Sequence, residues 1–124
     1  MGNGIIVKER KTNETEIRIE LNLHGSGKTD INTGVPFFVH RLEQIGRQGF
    51  MELTVKAVCD IEIDYHHTVE DVGITLGQAI SDALGDRSGI KRFGTAQIPL
   101  CEALSTVTVD LCSRPYLVFN VDIQ

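Results

Sequence analysis

The sequence predicts an α+β fold: a two-layer sheet-and-helix unit followed by the opening strands of a second one. Three observations carry this. Alternating runs recur along the chain, two helical apolar stripes lie between them, and the patterning near the end echoes that near the beginning.

The first clean alternation is TEIRIELNL, residues 15–23, with Ile17, Ile19, Leu21 and Leu23 on one face of a half-buried strand. HGSGK then signals a turn. It lacks the G-x-x-x-x-G-K-[ST] spacing of a phosphate loop and leads to no helical pattern, so a plain hairpin turn is expected. A first helix follows: Thr33 offers an N-cap hydroxyl, Pro36 suits the first turn, and Phe37, Phe38, Leu42 and Ile45 form an apolar stripe that frays at Gly46 and Gly49. Met51, Leu53, Val55 and Ala57 alternate as a second strand that continues through Ile61 and Ile63. A second helix is expected from about His67 to Leu84, with Val69, Val72, Leu76, Ile80 and Ala83 at helical spacing and Gly85 just past its end. Gly73 and Gly77, each costing about 1 kcal/mol against alanine, imply a close packing contact on that helix. VTVDL (107–111) and YLVFNVDI (116–123) read as two further strands separated by Ser113-Arg114-Pro115. STVTVDLCS is patterned like TEIRIELNL, as though the unit restarts near Ile90. Residues 1–86 therefore read as a complete first repeat and 87–124 as the strands of a truncated second one, packed as one domain.

The length, 124 residues, suits one domain, and 41% hydrophobic with 23% charged residues is an ordinary globular balance able to support a core. A net charge of −5 argues against non-specific nucleic-acid binding, which needs a basic face. No run approaches the roughly 20 apolar residues of a membrane span. Ile5 and Ile6 are too few consecutive hydrophobes for a signal-peptide core. Cys59, Cys101 and Cys112 are odd in number and without metal-site spacing. Reduced thiols in a cytoplasmic protein account for them.

The sharpest chemical feature is DYHHTVED, residues 64–71. On a helix His66 and Glu70 share a face, while His67 lies three residues from Glu70 and four from Asp71. Adjacent helical histidines point about 100° apart, so they serve two neighbouring ions better than one. Imidazole with carboxylate suits manganese, zinc or iron, and rising oxygen content favours manganese. The alternative is a solvated helix start with its acids placed against the dipole. His40, on the other helix, reads as a ligand or, more commonly for a lone histidine on an apolar helix, as a satisfied core residue. Arg92 and Arg114 lie beside strands, as surface charges or as planar forks for a phosphate. Glu14, before the 15–23 strand, is by default an exposed carboxylate.

Taken together, five ordered blocks, KTNETEI, TGVPFFVHRLEQI, IDYHHTVEDVGITLGQAI, LGDRSGIKRFGTAQIPL and VDLCSRPYLVFN, resemble the imidazoleglycerol-phosphate dehydratase family of histidine biosynthesis. The resemblance implies a fold of two similar α/β repeats like domain 2 of ribosomal protein S5, assembled as a homo-oligomer of trimers up to a 24-mer. It implies dehydration of imidazole glycerol phosphate to imidazole acetol phosphate, a hydro-lyase reaction dependent on manganese. His40, His66, His67 and Glu70 fall on metal-ligand positions of a two-manganese site. Glu14, His66 and Glu70 fall on catalytic positions, Glu14 and Gln44 on substrate contacts, and Arg92 and Arg114 on arginines that hold the phosphate. The proton lost is not next to a carbonyl, so the metal-bound imidazole ring would take up the developing charge, with a carboxylate such as Glu14 as base. The family pattern runs on through a second His-His-x-x-Glu helix beyond Gln124. This sequence differs from it at Val39, Arg41, Gln48, Tyr65, Cys101 and Cys112-Ser113. The other reading is a non-catalytic structural or assembly module that kept the fold.

Overall fold

The 15–23 alternation becomes a central strand of the sheet. A computed structural model describes residues 4–59 and 65–123. Its elements are β1 (Ile6–Lys11), β2 (Thr15–Asn22), β3 (Thr29–Asn32), α1 (Pro36–Gln48), β4 (Glu52–Cys59), α2 (His66–Leu84), β5 (Phe93–Leu100) and β6 (Ala103–Asp110). The chain divides into two units, Met1–Gly85 and Asp86–Gln124.

In the first unit the sheet order is β1-β2-β4-β3. β2 runs antiparallel to both β1 and β4, whereas β3 runs parallel to β4. Alternation puts Ile17, Ile19 and Leu21 of β2 beside Leu53, Val55 and Ala57 of β4 on the buried face, and Leu42 of α1 with Val72, Leu76 and Ala79 of α2 completes the core. The two helices thus back one face of the sheet, the two-layer arrangement expected.

Several expectations are corrected in detail. HGSGK is not a hairpin turn: the chain passes from β2 to β3, which lies beyond β4, with Gly25 N–H donating to Phe50 O at 3.1 Å and Leu53 N–H to Lys28 O at 3.0 Å. Thr33 does not cap α1. Val35 is the N-cap, and Thr33 Oγ1 accepts instead from Val35 N–H at 3.3 Å in the turn before it. Gly46 does not fray the helix; it is buried, and a Cβ there would lie 2.4 Å from Thr29 Cγ2, so its bareness permits α1 to approach β3. Phe37 and Ile45, placed on the apolar stripe, are 69% and 43% exposed; of that stripe Leu42 is buried and Phe38 partly so. α2 starts at His66 and ends against Gly85, whose φ of +58° is a conformation that favours glycine. Gly73 and Gly77 face open space rather than a close contact, because they lie on the side of α2 turned away from the sheet. Ile61 and Ile63 lie outside the described residues.

The second unit is an antiparallel hairpin, β5 with β6, in register from Phe93–Asp110 to Leu100–Ala103. VTVDL is largely the end of β6. YLVFNVDI, expected as a strand, forms none: no strand pairs with residues 116–123 among the described residues, and an extended segment without a ladder leaves its backbone groups to water. Every residue of β5 and β6 is exposed, including Ile98, Leu100, Leu104 and Val107 at 55–70%.

Candidate functional site

The first two turns of α2 carry His66, His67, Glu70 and Asp71, and the tight β1–β2 turn carries Glu14. α2 packs on β1 and β2, so these two segments share a cleft of about 380 Å³ lined by Thr12, Asn13, Glu14, His67, Glu70 and Asp71. His66 Nε2 lies 3.1 Å from Glu70 Oε2, the i,i+4 pairing the spacing implied. His67 Nε2 lies 3.5 Å from Glu14 Oε2. The two rings meet edge-on, with centroids 5.5 Å apart and planes at 74°. Each histidine thus faces its own carboxylate. All four side chains are between 52% and 68% exposed, which leaves them accessible to a ligand.

Nitrogen and oxygen donors of this kind fit manganese in chemical type. In number they stop short: among the described residues no three of His, Cys, Asp and Glu converge closely enough to hold an ion. His40 is exposed on α1 rather than buried as a core histidine, and among the described residues it completes no metal-holding set with the α2 histidines. Gln44, also exposed on α1, accepts a hydrogen bond from Arg41 at 3.0 Å, and Arg41 lies over the Phe37 ring at 4.8 Å.

Spacing sets Asp71 four residues after His67 but gives it no role. Buried at 9% exposure, it accepts from Thr15 Oγ1 at 2.7 Å and from Arg10 Nε at 3.2 Å. The Thr15 hydroxyl first, and Arg10 beside it, hold its carboxyl below the usual carboxylate range against the opposing effect of burial. A signal was present: Asp71 falls one helical turn after His67, and Thr15 falls on the inward face of the β2 alternation.

In the second unit Arg92 and Arg114 do come together, lining an open cleft of about 510 Å³ with Arg87, Ile90, Leu111, Cys112 and Ser113. Arg87 was not anticipated there. Arg92 is held by Asp110 in a two-pronged bond, Nε to Oδ1 at 2.6 Å and a terminal nitrogen to Oδ2 at 3.0 Å. That pairing raises the Arg92 pKa and lowers that of Asp110. No helix among the described residues is long and apolar enough to cross a membrane.

A mixed sheet backed by two helices, with paired histidines and carboxylates at one helix start, defines the class: an α+β protein. Comparison narrows this further. The model of the imidazoleglycerol-phosphate dehydratase family matches residues 33–124. Among named relatives, the imidazoleglycerol-phosphate dehydratase of Hydrogenovibrio crunogenus is 56% identical over 114 residues, 92% of this chain and 58% of that protein. The enzyme of that name from Chromobacterium violaceum is 58% identical over 91% of this chain and 57% of its own length. The crystal structure of imidazoleglycerol-phosphate dehydratase from Staphylococcus aureus superposes with a TM-score of 0.83 at 33% identity, covering 98% of this chain and 65% of that one. The Pyrococcus furiosus structure, a complex with (S)-C348, gives 0.78 at 34% identity over 94% of this chain and 61% of that one. The chain belongs to the imidazoleglycerol-phosphate dehydratase family. It spans about 58% of the length of the curated relatives it matches.

Proposed function

We propose that this chain belongs to a metal-dependent carbon–oxygen lyase that removes water from imidazole glycerol phosphate to give imidazole acetol phosphate in histidine biosynthesis. The observation that carries the reading is the approach of Glu14 to His67. It sets a carboxylate from one segment 3.5 Å from an imidazole on another, inside a cleft that also holds Glu70. A proton acceptor held beside metal-type donors is what a dehydration at an unactivated carbon requires.

His66, His67 and Glu70 would hold manganese, with His40 supplying a ligand and the remaining groups coming from outside the described residues. When bound, the metal supplies Lewis-acid stabilisation of the charge that develops as hydroxide leaves. Glu14 accepts the proton at its carboxylate. Gln44 contacts the polar part of the substrate, and Arg92 and Arg114 present guanidinium groups to its phosphate. An arriving phosphate would compete with Asp110 for Arg92. Assembly as a trimer-based homo-oligomer in the cytoplasm goes with this reading.

A second reading, a non-catalytic assembly module, is favoured by the grip of Asp110 on Arg92 and by the fully exposed β5–β6 hairpin. Turnover of imidazole glycerol phosphate by the purified chain with manganese separates the two. Turnover that vanishes in His66→Ala and in Glu14→Gln supports the lyase. A folded chain without turnover supports the module.

A further inference from the structure

Asp71 is a buried carboxylate on the wall of the Glu14–His67 cleft, and the reaction outlined above makes no use of it. Its hydrogen bonds have a direction that can be worked out. Thr15 Oγ1 has one proton, and it donates that proton to Asp71 Oδ2 at 2.7 Å. Thr12 Oγ1 and Thr15 Oγ1 lie 2.8 Å apart, so Thr12 must be the donor of that pair. With its proton committed, Thr12 Oγ1 is free to accept, and it receives Glu14 N–H at 3.3 Å and Thr15 N–H at 3.0 Å. The relay therefore runs from the backbone of Glu14, through two hydroxyls, to the carboxylate of Asp71.

The other end of the relay is equally fixed. Arg10 on β1 donates to Asp71 Oδ1 at 3.2 Å, and Thr75 Oγ1 donates to the Asp71 carbonyl at 2.7 Å. Asp71 thus ties the β1–β2 turn and β1 to the part of α2 that carries the histidines. Glu14 itself is 63% exposed. A carboxylate so exposed on a turn has many accessible positions, and fixing its backbone is the economical way to restrict them.

We propose that Asp71, acting through Thr15 and Thr12, is the positioning residue that holds Glu14 against the histidine face of α2. The proposal rests on Glu14 being the proton acceptor, but its geometric part can be read without turnover. It assigns Asp71 no bond to metal or substrate. It also gives the exposed Thr12 a purpose beyond closing a turn.

The test uses the whole chain and two pairs of measurements. Nuclear Overhauser cross-peaks between the His67 ring and the Glu14 side chain report their proximity without metal or substrate. The variants are Asp71→Ala, Thr12→Val, which removes only the exposed hydroxyl, and Thr12→Ser, which keeps it. The cross-peak is expected to disappear in the first two and to persist in Thr12→Ser. Should Asp71→Ala fail to fold, the two Thr12 variants decide. Where turnover is measured, Thr12→Val is expected to lower kcat while leaving KM and manganese affinity, read from free-ion electron paramagnetic resonance, unchanged. A cross-peak that survives in Thr12→Val, or one lost equally in Thr12→Ser, overturns the proposal. Absence of turnover in the unaltered chain would overturn the lyase reading instead, with the cross-peaks still deciding the geometry.

Discussion

The two units of the chain place their apolar residues in opposite ways. In the first, Ile19, Leu21, Val55 and Val72 are completely shielded from water. In the second, Leu100, Leu104, Tyr116 and Leu117 are 65–92% exposed, and no residue from Asp86 to Ile123 is buried. Composition does not cause the difference, since β6 sets Val107 and Val109 on one face, alternating with Thr106 and Thr108, as β2 sets Ile17 and Ile19. Covering does. β2 and β4 have α1 and α2 above them, whereas β5 and β6 have only each other among the described residues of their unit. A single hairpin is marginal in water, and an exposed apolar strand invites another chain.

Truncating a core residue should separate the units most sharply. Leu53→Ala, at a position 1% exposed, is expected to cost about 2–5 kcal/mol in urea unfolding. Leu104→Ala, 65% exposed, should stay within about 0.5 kcal/mol. Comparable losses at both sites would mean that the hairpin is buried in solution, most simply by another copy. Sedimentation extends the comparison: self-association is expected for the unaltered chain, and Leu104→Lys with Val107→Lys should weaken it. A monomer before substitution would remove the argument from exposure.

Glycines sharpen the contrast between covered and open surfaces inside the first unit. Gly46→Ala brings a Cβ within 2.4 Å of Thr29 Cγ2 and should destabilise by about 1–3 kcal/mol. Gly77→Ala meets nothing within 4 Å and should instead stabilise α2 by about 0.5–1 kcal/mol. A loss at Gly77 would show that something packs on that face of α2 in solution.

The smallest effect concerns pH. The folded Asp71 carboxyl titrates below its unfolded value, so its stabilisation is fully present above about pH 4, the unfolded range, and is lost as pH falls through the lower folded value. Unfolding free energy measured from pH 6 to pH 2 should fall less steeply in Asp71→Asn than in the unaltered chain. Identical slopes would mean that Asp71 gains nothing from Thr15 and Arg10.

The same contrast explains what was legible in the sequence. β2 and α2 were readable because each buries one face on a regular period, which leaves a visible alternation or stripe. β1 was missed: IVKERK is an edge strand whose burial is only partial, so polar residues interrupt the pattern. β3 has four residues, too few for a period, and its parallel pairing with β4 is a long-range choice that no local signal encodes. β5, FGTAQIPL, is exposed throughout and carries little alternation. Residues 116–123 showed the converse error, for apolar content suggests a strand while pairing requires a neighbour. At the site, the His66–Glu70 pair followed from helical spacing. Glu14 entered the site through the family resemblance, as base and substrate contact, but its approach to His67 was not foreseen, because a contact between two distant segments leaves no periodic trace. The place of Asp71 one helical turn after His67 was legible, but its bonds to Thr15 and Arg10 join distant segments and were not.

The central claim is that the first unit carries a metal-holding face on α2, and a manganese titration of thermal unfolding tests it most directly. A ligand bound only by the folded chain stabilises it by about 2.7 kcal/mol at a hundredfold excess over Kd, which amounts to several degrees in Tm. The account predicts a Tm that climbs with manganese near neutral pH in the unaltered chain and stays flat when His66 and His67 are both replaced by alanine. A flat response in the unaltered chain, or an equal rise in the double variant, would contradict it.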